Sequence, residues 1–285
     1  MEEKKGMPGW VKGCLTGCAL LLLLAVILMT FVCQQVKSMF EGVTQAEQSF
    51  EQLAREYGDY DTFSPGATVS VTADQMERFL RIRESMEDDR VRMEEELGNF
   101  HLDIDDEDIG PRKVWAVLTA VGGLMNLAGE YLAVRNEKLL LEQMSLGEYL
   151  WIYSLTYYSW LGHEVVAGPE LTVGGENWEL FQDSESPLSP RQQQRRYRRV
   201  ISALFQNQIN AVPDTDPEGL ARLKQEFGRF ENDLRSVIWE SGLPDADAAV
   251  LEPYRDRLEA TWHPPTNMME LPFPDQDGGV RMRVN

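Results

Sequence analysis

Residues 111–144, PRKVWAVLTAVGGLMNLAGEYLAVRNEKLLLEQM, decide the fold. Val114, Leu118, Val121, Met125, Ala128 and Leu132 recur at alternating spacings of three and four, which places them on one stripe of an α-helix. Trp115, Leu124 and Leu127 widen that stripe. The stretch is either a membrane span or the core helix of a helical domain. Its uncharged run, Val114 to Gly129, is 16 residues long and contains Gly122, Gly123 and Asn126. A spanning helix needs about 20 apolar residues, so the core-helix reading is preferred and the fold class is all-α. Gly122-Gly123 is expected either to kink the helix or to admit a neighbour closely.

The segment that follows, SLGEYLWIYSLTYYSWLGH, opens with Ser145 and Glu148 in capping-box register. Six of the twelve residues from Tyr149 to Trp160 are aromatic and lie on all sides of the helix, as expected of a buried central element. Tyr149, Tyr153, Tyr157 and Trp160 fall roughly along one face and form a candidate ligand pocket. The alternative is plain core, with each hydroxyl finding a partner.

Working back toward the N-terminus, the acidic run Asp103–Asp108 precedes the central helix. It fails the calcium-loop pattern, which needs Gly where Asp108 stands and Glu where Val114 stands, so it reads as acids placed before a helix start. Thr72 and Gln75 form a capping box that opens one long charged helix reaching Leu97. Asp59–Ser70 is a turn-rich loop. Val36, Met39, Val43, Ala46, Phe50, Leu53 and Tyr57 follow an a/d pattern over three heptads, within a juxtamembrane helix at 34–58. This stripe either pairs two chains in a parallel coiled coil, giving a homodimer through 36–57, or lies on the chain's own domain.

At the N-terminus, CLTGCALLLLLAVILMTFVC (Cys14–Cys33) is 20 residues without a charge. At 1.5 Å per residue it matches the roughly 30 Å hydrocarbon core and is expected to be a single uncleaved signal anchor. A cleaved signal peptide would have a shorter apolar run ending at a small-x-small site. Lys4, Lys5 and Lys12 precede it and only Lys37 follows closely. Residues 1–13 are therefore expected in the cytoplasm and residues 34–285 outside it, on the periplasmic side of a bacterial inner membrane.

Beyond the aromatic helix, 163–189 is rich in Gly and Pro and reads as an irregular linker between two parts of the helical domain, 59–162 and 190–262. A helix is expected from Pro190 to Ala211. It carries Arg191, Arg195, Arg196, Arg198 and Arg199, of which Arg191, Arg195, Arg198 and Arg199 share a face. That face is a candidate surface for an acidic protein partner or anionic lipid, or else it neutralises neighbouring acids. Helices are expected at Pro217–Ser241 and Asp245–Trp262. The tail, 263–285, contains enough Pro and Gly to argue against regular structure. The whole makes an anchor followed by a bundle of about six helices.

Charge and composition narrow the function. The chain carries a net charge of -20, which disfavours nucleic acid as a partner, and its 43% hydrophobic content suffices for a core. All three cysteines, Cys14, Cys18 and Cys33, lie at or before residue 33, which leaves no thiol nucleophile in the helical domain. His101, His163 and His263 make no zinc-binding motif, and no phosphate loop or nucleophile elbow occurs. Glu130, one turn from Asn126 on an apolar helix, is the one candidate acid or base, provided that it is buried. No catalytic, cofactor or metal site is assigned. The reading is a membrane-anchored, non-enzymatic binding or scaffold protein. The alternatives are a small-molecule or lipid-binding domain built on the aromatic helix and, third, an enzyme.

Overall fold

The computed structural model describes residues 41–67, 70–98, 111–167, 172–173, 176–177 and 190–271. The anchor, the three cysteines, residues 34–40 of the heptad stripe, the acidic run 103–108 and the end of the tail lie outside the described residues. The described residues are all-α, apart from one minimal antiparallel pair, β1 (Thr172–Val173) and β2 (Glu176–Asn177), inside the stretch expected to be irregular. No described helix is long and apolar enough to cross a membrane.

Helix α1 (Glu41–Tyr57) buries Gly42, Ala46, Ser49 and Leu53. It lies on the chain's own α4 (Pro111–Leu141), the long apolar helix. The described part of the heptad stripe, Val43 to Tyr57, thus packs on the chain's own domain. Its buried line is centred on the small residues Gly42, Ala46 and Ser49, with Val43, Phe50 and Tyr57 flanking. Small residues let the two backbones touch. A Cβ at Gly42 would collide with the Asn126 carbonyl, and one at Gly129 would collide with the backbone of Gly42 and Val43. The close approach is therefore at Gly129, whereas Gly123 faces open space.

The charged segment after Thr72 is two helices, α2 (Ala73–Ser85) and α3 (Glu87–Gly98), rather than one. The expected capping box forms in full: Gln75 N–H donates to Thr72 Oγ1, and Thr72 N–H donates to Gln75 Oε1. The break falls at Met86. There the Arg83 carbonyl accepts from the Arg90 guanidinium and the Ile82 carbonyl from Ser85 Oγ, so side-chain donors compete with the helical ladder.

Ser145 caps α5 (Leu146–Tyr153), which runs on into a π-helical segment, Ser154–Trp160. Leu161 N–H bonds back five residues to the Thr156 carbonyl. Every residue from Leu146 to Tyr158 is buried, so this rod is the centre of the domain. Around it stand α2, α6 (Pro190–Ala211), α7 (Pro217–Asn232), α8 (Asp245–Leu251), α9 (Arg255–Thr261) and α10 (Pro264–Glu270). Helix α10 departs from the tail as read in sequence. Pro264 and Pro265 occupy its first positions, where a missing N–H costs nothing, and Thr266, Asn267, Met268, Met269 and Glu270 are buried.

Candidate functional site

The most concentrated polar group among the described residues is centred on Glu270, at the end of α10. Its carboxylate is wholly buried, as are Arg83 of α2 and Arg135 of α4. Arg83 is ion-paired to Oε1, which also accepts from Tyr131 Oη at 2.7 Å. Oε2 accepts from Tyr149 Oη at 2.9 Å and lies 3.5 Å from Arg135. Arg135 also donates to the Glu270 carbonyl at 2.8 Å and to Asn136 Oδ1, and Asn136 donates to Ser49 Oγ at 2.9 Å. Arg83 donates to the Thr261 carbonyl at 2.7 Å. One carboxylate thereby ties α1, α2, α4, α5, α9 and α10 together.

Burial pushes the Glu270 carboxyl upward. Arg83 and Arg135, with the Tyr131 and Tyr149 hydroxyls, outweigh it and hold the group below the usual carboxylate range. Burial pushes the Tyr149, Tyr153 and Tyr158 hydroxyls well above theirs. The tyrosines are therefore neutral donors at physiological pH, and the charge that holds the Arg83 guanidinium is that of Glu270. A fully buried, fully hydrogen-bonded carboxylate that stays ionised has no proton to exchange with a substrate. The cluster is a structural clamp.

The π turn explains a second convergence. Five-residue bonding stacks residue i+5 under residue i, so Tyr153 and Tyr158 both reach Asn267 Oδ1, at 3.0 and 2.7 Å. The Asn267 amide then donates to the carbonyls of Val165 and Ala167. Tyr157 Oη shares a 2.7 Å hydrogen bond with Thr261 Oγ1.

Of the residues proposed to line a pocket, Tyr149, Tyr153 and Tyr157 are brought together, but as packed core. Their rings lie against one another, Phe79 and Trp262, with centroids 4.7–6.3 Å apart, and their hydroxyls are bonded to protein groups. Trp160 is partly buried under Arg255, whose guanidinium sits 4.1 Å from the ring centroid. Glu130 is elsewhere. It is a third exposed, is paired with Arg92 at 3.0 Å and accepts from Asn126 at 2.8 Å. It borders an open cleft of 300 Å³ that also touches Gln45, Asp89 and Met93. The burial that an acid–base role for Glu130 required is absent.

The arginines of α6 divide. Arg198 is half-buried on the Phe230 ring and donates to the carbonyls of Phe230, Glu231 and Asp233, closing the C-terminus of α7. Arg196 is buried, and burial alone lowers its pKa to about 10. Arg191, Arg195 and Arg199 are exposed and follow one another every four residues. Among the described residues no carboxylate forms an ion pair with any of these three.

His163 stacks on Trp262 at 4.3 Å, while His263 bonds to Glu94 at 3.1 Å and is lowered by burial. The two histidines thus have separate surroundings, and no group of His, Cys, Asp or Glu among the described residues is placed to hold a metal. Glu270 escaped the sequence reading because its partners are 121 to 187 positions away. The local signal was present, in Pro264-Pro265 ahead of Met268, Met269 and Leu271. The chain matches no protein-family model, no curated protein and no solved structure.

Proposed function

We propose that the chain is a membrane-anchored, non-enzymatic binding or scaffold protein of the cell envelope. Its helical domain stands on the extracytoplasmic side and engages an acidic protein partner through the row Arg191, Arg195 and Arg199. The observation that carries this is the contrast on α6. Arg196 and Arg198 are built into the domain, while the other three project from a chain of net charge -20. A protein this acidic repels most acidic partners at a distance, so an exposed row of arginines concentrates attraction at one place. The guanidinium fork suits carboxylates in particular. The anchor, with its basic N-terminal flank, supports the location and orientation.

The test is a photo-crosslinking amino acid at position 195 of the full-length protein in its native membrane, with and without Arg191→Gln and Arg199→Gln. The reading predicts a discrete adduct that weakens several-fold when the two flanking charges are removed. An adduct of unchanged yield, or none beyond lipid, contradicts it.

A further inference from the structure

The cleft beside Glu130 is assembled by three helices. Leu127, Glu130, Tyr131 and Val134 share one face of α4, following one another by three, one and three residues. Gln45 lines the space from α1, and Asp89, Arg92 and Met93 line it from α3. The apolar part is Leu127, Val134, the buried Met93 and the ring of Tyr131, whose hydroxyl is committed to Glu270. The charged part is two carboxylates, Asp89 and Glu130, against one guanidinium, Arg92. An apolar surface is thus bordered by excess negative charge, in a chain whose net charge of -20 already draws cations toward it.

The two oxygens of Glu130 have unequal partners. Oε1 accepts from Asn126 Nδ2 at 2.8 Å, and Asn126 Oδ1 in turn accepts from the Gly42 N–H at 2.7 Å. Asn126 is fixed where the backbones of α1 and α4 touch, so the carboxylate is oriented by a supporting group behind it. Oε2 is paired with Arg92 at 3.0 Å, but the Arg92 side chain is 60% exposed. A pairing made by so exposed a guanidinium contributes little, and water replaces it readily. Glu130 is therefore a fixed anion with an exchangeable cation.

We infer that this cleft binds a primary alkylammonium group. The ammonium takes the place of the Arg92 guanidinium on Glu130 Oε2, with Asp89 adding to the attraction. The alkyl chain lies on Met93, Leu127 and Val134. Size supports a short chain. A volume of 300 Å³ is at the small end of ligand sites, which run from about 300 to 1,000 Å³. The α4 face from Leu127 to Val134 is about 10 Å long. A membrane lipid tail, which fills half of a roughly 30 Å hydrocarbon core, does not fit. An anionic ligand would meet two carboxylates. The same alkylammonium chemistry is found in a free aliphatic amine and in the lysine side chain of a partner protein.

The test titrates the full-length protein in mild detergent, methyl-labelled at methionine, with diaminopentane at constant ionic strength. The methyl resonance of Met93, assigned by its loss in Met93→Leu, should shift to saturation. Sodium pentanoate, of equal chain length and opposite charge, should leave it in place. Glu130→Gln should weaken the amine about tenfold. Arg92→Gln removes the cation that competes for Oε2 and should tighten the amine about threefold. These opposite signs are what the exchange requires, since a pair that serves only the fold would move binding the same way from either side. Nα-acetyl-lysine amide, run in parallel, separates the sources: tighter binding than diaminopentane assigns the site to a partner's lysine, weaker binding to a free amine. No saturable shift with either amine would overturn the inference. So would a shift with pentanoate that Arg92→Gln abolishes, or equal weakening by Glu130→Gln and Arg92→Gln.

Discussion

Arg83 and Arg135 on one side, and Arg191, Arg195 and Arg199 on the other, are the same side chain in opposite settings. The first two are wholly buried, and every helix they touch is joined through Glu270. The other three stand in water on one edge of α6. A buried guanidinium has lost its hydration and depends on the protein for a counter-charge, so removing its partner is costly. An exposed one keeps its hydration and contributes little to folding, which leaves it available to a partner. Burial, not arginine content, separates what holds this domain together from what it presents.

The largest expected effect comes from breaking the buried set. Glu270→Gln leaves Arg83 and Arg135 without their carboxylate and should cost about 3–5 kcal/mol in denaturant unfolding. Arg83→Met should cost a similar amount, by leaving Glu270 dependent on Arg135 alone. If either variant unfolds like the wild type, the cluster is not the clamp described above.

The same cluster sets the response to pH. The Glu270 carboxyl is held below its unfolded value of about 4.3, so its contribution is complete above that pH and is lost as pH falls through the lower folded value. Tyr149, Tyr153 and Tyr158 are raised by burial, so their contribution is complete below about pH 10 and is lost at higher pH. An alkaline titration should therefore show the tyrosinate absorbance of these residues rising together with loss of helical circular dichroism. Gradual ionisation with the helices intact would contradict their burial.

An intermediate case sharpens the contrast. Arg198 shares the sequence cluster of the exposed row but caps α7, and Arg198→Ala should cost about 1.5 kcal/mol. A thermal melt indistinguishable from that of Arg195→Ala would place it with the exposed residues instead.

Much of the helical frame was legible in sequence because its signals are local. Thr72–Gln75, Ser145 and the proline at 190 sit within one turn of the helix starts they mark. The buried aromatic rod was legible from its composition. Where helices end or change winding was not. The break at Met86 comes from side chains that take up carbonyls of the ladder, and the π segment keeps an apolar pattern that an α-helix also fits. The clamp was least legible, since Glu270 reads in sequence as one more acid in a Pro-rich tail. Among the arginines of α6, helical spacing puts 191, 195, 198 and 199 on one face, of which 191, 195 and 199 are exposed. It could not show that α7 ends beneath Arg198.

The most direct test is a side-by-side denaturant titration of the full-length protein in mild detergent. It compares Glu270→Gln with the triple variant Arg191→Gln, Arg195→Gln and Arg199→Gln. The account predicts a loss of about 3 kcal/mol or more for the single change and within about 1 kcal/mol for the triple. Equal losses, or a stable Glu270→Gln protein beside an unstable triple variant, would contradict it.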